Sequence, residues 1–308
     1  MENTMKAQFK TIYELTGANT PSALTFEADG ASYIRNFRPR ERLILLGCGH
    51  IAQPVCRYAA DLGFTVAVAD DRPDFANAIR FPEADTVICD DFSNAIDKLG
   101  IREDDYVAVI TRGHRYDADC LRRILSGGVF PRYLGMIGSR RRVISLMKML
   151  EEEGFSAADL ERIHAPIGVP INAMTVKEIG LSIAAELVAC RREGQKRRGK
   201  ETVLLSDDID PVLLNTLAND ETPRVLLIVY ETSGSTPVKS GAMMTVDKNL
   251  RIAGTIGGGC SEDAVMRDAY RLIGTGTERC VTIDMSNDVT DEDGMVCCGK
   301  MKVLIKDI

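Results

Sequence analysis

Between residues 42 and 137, short apolar runs alternate with stretches whose apolar residues recur at helical spacing. The runs are RLILLG, TVAVAD, TVICDD, DYVAVIT and RYLGMIG, and HIAQPVCRYAADLG is one of the helix-like stretches between them. Runs that are apolar throughout are typical of strands buried on both faces, and parallel strands need a long crossover between them. The alternation therefore predicts an α/β fold with a doubly wound parallel sheet.

The pattern changes beyond residue 190. The segment RREGQKRRGKET is charged and has almost nothing to bury, which favours a solvated helix end and a linker over a nucleic-acid patch. Further on, RVLLIVYET, GAMMTVD, RIAGTIGG, RCVTIDM and MKVLIKD resemble strands, whereas SEDAVMRDAYRLIG has helical periodicity. This mixture predicts a smaller α+β domain. We divide the chain into a lead segment (1–40), the α/β domain (41–195), a linker with an entry helix (196–222) and the α+β domain (223–308).

Composition narrows the classes of protein to which the chain can belong. A net charge of −7 disfavours a general nucleic-acid binder. The chain has no apolar run of ~20 residues that could span a bilayer, and its first residues lack a signal peptide's apolar core. We therefore expect a cytoplasmic protein with no membrane partner. Its nine cysteines are then expected to be reduced, with Cys89 and Cys190 as small buried residues.

A glycine loop follows the first strand-like run. LILLGCGHIAQ places Gly47, Gly49 and Ala52 in a G-x-G-x-x-A pattern between a strand and a helix. Glycines let a phosphate approach the backbone, and the helix N-terminus offers free N–H groups. Asp70 and Asp71 end the next strand, where a ribose-binding acid would lie. The loop predicts a bound dinucleotide or phosphorylated ligand; the alternative is a turn that only packs the helix against the sheet.

Two later loops also follow strands, and parallel sheets bind ligands at the carboxyl ends of their strands. These loops are VITRGHRYDAD and GMIGSRRRV, of which the second suits an anion because arginines stand at a helix start. The alternative is a solvated helix end. A histidine in RIHAPIG either lines the same crevice or is structural. The candidate cofactor-binding residues in this half are Gly47, Gly49, His50, Asp70, Asp71, Thr111, His114, Gly138, Ser139 and Arg140.

Thiols follow or precede glycines in two motifs near the end of the chain. GTIGGGCSED places Cys260 directly after Gly258 and Gly259, and GMVCCGK places Cys297 beside Cys298. A helix N-terminus would favour the Cys260 thiolate, although the acidic residues that follow oppose it. Packing, redox and sulfur-handling roles all remain open. A structural zinc site is disfavoured because adjacent cysteines are poor tetrahedral partners.

Several of these segments together resemble the XdhC/CoxI family of xanthine dehydrogenase accessory proteins. LILLGCGHIAQPVCRYAADLGFTVAVADDRPDF and YLGMIGSRRRV resemble its Rossmann-like half, whereas YETSGSTPVKSGAMM, GTIGGGCSED and GMVCCGKMKVLI resemble its CoxI-type half. The order of the halves is reversed relative to the usual family arrangement. Cys298 stands where the family has glycine, and Arg112 where it often has histidine.

The resemblance implies a chaperone that binds the molybdenum cofactor and assists its sulfuration and insertion into a xanthine dehydrogenase-type molybdenum hydroxylase. It implies two partners, the client enzyme and a cysteine desulfurase, and a carrier role rather than catalytic turnover. Cys260 and Cys297 would contact the metal, and these two together with Cys298 are the candidates for sulfur chemistry. The cofactor's phosphate would bind at the glycine loops, with Gly258 and Gly259 beside the thiol. Grooves between two halves favour a homodimer.

Two other functions remain open on the sequence. An NAD(P)-dependent oxidoreductase would use the Gly47–Gly49 loop, with His114 and Asp117 as candidate catalytic groups. It would have no need of the cysteine-containing half. A redox sensor would use Cys297 and Cys298 as its thiol pair.

Overall fold

The computed structural model describes residues 4–18, 20–38, 40–192, 202–204, 210–285 and 299–308. The chain divides into two compact units. One unit comprises residues 40–194, and the other comprises residues 1–39 together with residues 195–308. The lead segment therefore belongs to the same unit as the C-terminal residues.

The helices and strands are numbered in chain order. Within the described residues the helices are α1 (Thr4–Gly17), α2 (Ala52–Asp61), α3 (Phe92–Leu99), α4 (His114–Leu125), α5 (Arg140–Glu152), α6 (Ala157–Glu161), α7 (Val176–Arg192), α8 (Pro211–Asn219) and α9 (Cys260–Leu272). The strands are β1 (Ser22–Ala28), β2 (Ala31–Phe37), β3 (Arg42–Leu46), β4 (Thr65–Asp70), β5 (Thr86–Cys89), β6 (Tyr106–Val109), β7 (Tyr133–Met136), β8 (Thr202–Val203), β9 (Arg224–Ser233), β10 (Met243–Asp247), β11 (Ile252–Gly254), β12 (Glu278–Asp284) and β13 (Lys300–Asp307).

The unit of residues 40–194 is built on a parallel sheet with the strand order β5-β4-β3-β6-β7. Leu46, the last residue of β3, pairs with Ala69 on one side and with Val109 on the other. The chain runs outward from β3 through β4 to β5 and then returns to place β6 on the opposite side of β3. The doubly wound parallel sheet predicted from the sequence is confirmed, and its strand order reverses between β3 and β6, where such sheets bind ligands.

Helices cover both faces of this sheet. Leu43 and Leu45 of β3 pack with α2 and α7, whereas Ile44 and Leu46 pack with α3, α4 and α5. All four side chains are fully buried. Successive side chains of a strand point to opposite faces, so a strand with two covered faces is apolar at every position. This explains why RLILLG shows no polar alternation.

The other unit contains an antiparallel sheet with the order β11-β10-β9-β13-β12 and a smaller sheet with the order β1-β2-β8. Helices α1 and α8 contribute to the core on one side of β9, and α9 contributes to the core on the other side. The predicted α+β fold is confirmed. Within the described ranges, no helix combines the length and the apolar character needed to cross a membrane.

Candidate functional site

The two glycines after β3 have different surroundings. Gly47 has a φ of +112°, and a Cβ built on it would lie 2.4 Å from the carbonyl oxygen of Ile110. Its N–H donates to the carbonyl oxygen of Ala69 at 2.8 Å. A Cβ on Gly49, in contrast, would meet no atom within 4 Å. Gly47 is therefore required by the close approach of the loop to the end of β6, whereas Gly49 leaves open space above the start of α2.

Asp70, at the end of β4, holds this loop in place. Its side chain is fully buried, and Oδ2 accepts the N–H of Cys48 at 2.8 Å. The guanidinium of Arg72 donates to both oxygens, from Nε to Oδ1 at 2.8 Å and from Nη2 to Oδ2 at 2.9 Å. Both carboxylate oxygens are therefore already hydrogen-bonded within the protein.

An ion pair joins the strand ends on the two sides of β3. Arg112, which follows β6, donates to both carboxylate oxygens of Asp71, which follows β4, and the Nη2–Oδ2 distance is 2.7 Å. The guanidinium also stacks on the ring of Tyr116, with its carbon 3.9 Å from the ring centroid. Hydrogen bonds from Arg112 lower the pKa of Asp71 to about 2. The sequence analysis includes Asp71 among the candidates, whereas the contribution of Arg112 to this edge emerges from the structure.

Asp71→Asn tests this pair through its pH dependence. Because the pKa of Asp71 falls from 3.8 to about 2 on folding, the pair stabilises the protein above pH 3.8 and loses its effect as the pH falls toward 2. We expect the variant to lose about 1 kcal/mol of unfolding free energy at pH 7, because both partners are partly exposed. Urea unfolding between pH 3 and 7 measures it. A difference from wild type that does not narrow toward low pH would contradict this assignment.

A second network joins the loops after β6 and β7. The hydroxyl of Thr111 donates to Asp117, whose fully buried carboxylate also accepts a hydrogen bond from Arg142 Nη2 at 2.5 Å. Asp117 lies in the first turn of α4 and Arg142 in the first turn of α5. Burial raises the pKa of Asp117 in spite of the neighbouring guanidinium. The sequence analysis names Thr111 as a ligand-binding residue; in the structure its hydroxyl fixes the loop.

The other candidates in this unit lie on the same three loops. Ser139 caps α5, since its hydroxyl accepts the N–H of Arg142 at 3.4 Å. Gly138 precedes this cap, and a Cβ there would meet Val143 at an ordinary contact distance of 3.5 Å. The remaining candidates, which are exposed to solvent, are His50, His114 and Arg140. The fold therefore brings all ten residues to the edge formed by the carboxyl ends of the strands.

The glycine loop before α9 is folded around a carboxylate. Gly257, Gly258 and Gly259 have φ angles of +119°, +70° and +55°. Glu262 Oε1 accepts the N–H groups of Ile256 at 3.1 Å and of Gly258 at 3.0 Å. The first turn of α9 thus supplies an anion to the amides of its own preceding loop, a role that the sequence does not reveal.

The three candidate thiols remain predictions. Cys260 is the first residue of α9, and Cys297 and Cys298 lie outside the described residues. In the part of the chain that the structure describes, no three His, Cys, Asp or Glu residues are grouped so that they could hold a metal ion.

The thiols in the parallel sheet unit are mostly packing residues. Cys190 is buried as predicted, and burial raises the pKa of Cys48 and of Cys56 to about 12. The prediction that Cys89 is buried is wrong. Cys89 ends β5, which is an edge strand of the sheet and is covered less completely than the central strands. An apolar run in the sequence does not reveal which strand lies at an edge.

The family relationship agrees with this geometry. Residues 43–187 match the XdhC Rossmann domain, and residues 217–284 match the XdhC and CoxI family. The matched segments make up more than two thirds of the chain. The chain belongs to the XdhC and CoxI family, and its Rossmann segment precedes its CoxI-type segment, as the sequence analysis indicates.

Individual relatives share part of the chain. The uncharacterized protein YqeB of Escherichia coli K12 is 35% identical over 150 residues, which cover 48% of this chain and 27% of that protein. A probable xanthine dehydrogenase subunit from Bacillus subtilis 168 is 28% identical over 167 residues, which cover 54% and 48%. A crystal structure of a xanthine dehydrogenase from Bacillus halodurans has 30% identity and a TM-score of 0.48, with 55% and 47% covered. The matches cover less than half the length of each of these proteins.

Proposed function

We propose that this chain is a maturation factor for a xanthine dehydrogenase-type molybdenum hydroxylase. The observation that carries the proposal is the presence of both the XdhC Rossmann domain and the CoxI-type segment in one chain. The name of the Bacillus subtilis relative, which describes a probable xanthine dehydrogenase subunit, supports the same client class. The chain would bind the molybdenum cofactor as cargo and assist its sulfuration and insertion into the client.

The thiols fit this cargo chemically. Thiolates are soft ligands that suit a sulfur-rich molybdenum centre, and the position of Cys260 at the start of α9 favours its thiolate. We assign metal contact to Cys260 and Cys297, and sulfur exchange with a cysteine desulfurase to these two or to Cys298. The amides around Gly258 and Gly259 would receive a negatively charged part of the cargo. A homodimer remains part of the proposal.

The parallel sheet unit fits a phosphate better than a complete nicotinamide dinucleotide. The open space at Gly49 and the N-terminus of α2 suit a phosphate group. A bound NAD would need a carboxylate for its ribose hydroxyls, whereas both oxygens of Asp70 are engaged by Cys48 and Arg72. We therefore rank the NAD(P)-dependent oxidoreductase below the maturation factor and assign no step to a nicotinamide.

Anaerobic loading with molybdenum cofactor tests the proposal. Wild type, Cys260→Ala and Cys297→Ala are incubated with the cofactor, and bound molybdenum and released pterin are quantified. Cys89→Ala is the matched control because Cys89 is an exposed thiol on the parallel sheet unit. We expect wild type and the control to retain the metal, and the other two variants to lose about ten-fold or more of it.

The same samples separate the competing functions. Binding of NADH without binding of molybdenum cofactor would move the chain to the oxidoreductase class. Equal molybdenum retention by all four proteins would remove Cys260 and Cys297 from the metal site. A redox sensor would instead lose two titratable thiols in wild type on mild oxidation, and would bind no cofactor.

A further inference from the structure

We propose that a cleft between α2 and the start of α7 binds a phosphorylated small molecule with a planar ring, of the mononucleotide class. The cleft has a volume of about 370 Å3, which lies within the range of ~300–1,000 Å3 typical of small-molecule sites. It is lined by His50, Pro54, Arg57, Tyr58 and Lys177, among others. The inference is independent of the proposed molybdenum cargo, since it concerns only the phosphate and the ring.

The two helices form the cleft because they touch at a glycine. A Cβ on Gly180 of α7 would lie 2.9 Å from Pro54 Cβ and 3.4 Å from the ring of Tyr58. The lining residues of α2 recur at intervals of three and four, which places them on one helix face. The first two residues of α7, Val176 and Lys177, complete the lining on the N-terminal side of this contact.

The lining carries positive charge and no carboxylate. Among the described residues, neither His50 nor Lys177 forms a hydrogen bond or an ion pair. Arg57 Nε lies 3.1 Å from Glu83 Oε1, but its side chain is 64% exposed and the guanidinium has further donors. The N-termini of α2 and α7 lie beside the same cleft and add positive potential. A dianionic phosphate monoester matches this arrangement.

The rest of the lining suits the flat body of a ligand. Pro54, Tyr58 and Val176 provide apolar surface, and a tyrosine ring stacks well on a planar heterocycle. Gln53 adds an amide at the edge, where its Nε2 donates to the carbonyl oxygen of Arg80 at 3.3 Å. A phosphate that meets the basic side chains and a ring that meets this wall together define a mononucleotide.

Calorimetric titration of the full chain with AMP tests the assignment. The double variant Arg57→Gln/Lys177→Gln removes two cations from the cleft, and Lys148→Gln is the matched control, because Lys148 is exposed on α5 and pairs with Glu152. We expect AMP to bind wild type and the control alike, and to bind the double variant about ten-fold more weakly or less. Far-UV circular dichroism and urea midpoints confirm that all three proteins fold.

Three further measurements fix the ligand class and the location. Adenosine and ribose 5-phosphate should each bind wild type more weakly than AMP, because each lacks one of the two recognised parts. Gly49→Ala should leave AMP affinity unchanged, since Gly49 lies in the glycine loop rather than in the cleft lining. Absence of AMP binding by wild type at millimolar concentration would overturn the proposal. So would loss of binding in Gly49→Ala with normal binding in the double variant.

Discussion

Gly47→Ala is expected to cause the largest loss of stability among the substitutions proposed, at least about 3 kcal/mol of unfolding free energy. The new Cβ would lie 2.4 Å from the carbonyl oxygen of Ile110, and the backbone would have to hold alanine at a φ of +112°. Neither the end of β3 nor the end of β6 can shift without breaking the hydrogen bonds of the parallel sheet. Because the chain has no tryptophan, urea unfolding is best followed by far-UV circular dichroism.

Gly49→Ala is the matched control for this substitution. A Cβ placed on Gly49 would have no neighbour within 4 Å, and the residue has no positive φ, so we expect less than about 1 kcal/mol of lost stability. If the loop receives the phosphate of the proposed cargo, this variant should fold normally and bind molybdenum cofactor about ten-fold more weakly. Equal stability of the two alanine variants would contradict the assigned structural role of Gly47.

Asp117→Ala is expected to cost about 2–4 kcal/mol of unfolding free energy. The carboxylate is fully buried and accepts hydrogen bonds from Thr111 and Arg142. Alanine leaves both donors without their acceptor in a closed environment, and it disconnects the loops after β6 and β7. Hydrogen exchange should show faster opening of the first turns of α4 and α5, which report the loss locally.

Asp117→Asn separates the loss of hydrogen bonds from the loss of charge. Burial raises the pKa of Asp117 above 3.8, so the folded chain holds this proton more tightly than the unfolded chain. The wild type therefore loses stability as the pH rises from 3.8 through the folded pKa, whereas asparagine does not titrate. We expect the asparagine variant to lie within about 1 kcal/mol of wild type at pH 7. A cost as large as that of alanine would show that the charge itself is required.

Together these residues explain how an edge made of loops becomes a fixed site. Asp70 holds the glycine loop, the pair of Asp71 and Arg112 joins the strand ends on both sides of β3, and Asp117 holds the last two loops. Binding groups placed on such loops retain their geometry because buried carboxylates position them. Several acidic residues that the sequence offers as ligand contacts thus serve to arrange the edge.

The sequence by itself determined the fold class and the location of the site. Apolar runs without alternation require strands covered on both faces, and parallel strands place the loops of Gly47, Thr111 and Gly138 at one edge. This reasoning needs only local patterns and chain connectivity. The motifs GSTP, GTIGGGC and GMIGSRR indicated the family in the same way, because they are short and contiguous.

Only the tertiary structure decided which groups at that edge are already engaged. Whether Asp70 faces a ligand or Cys48 and Arg72 depends on contacts between residues distant in the chain, as does the exposure of Cys89 on an edge strand. The cleft between α2 and α7 likewise depends on helices more than a hundred residues apart meeting at Gly180. Local periodicity carries no information about such pairings, because they are set by the packing of one element against another.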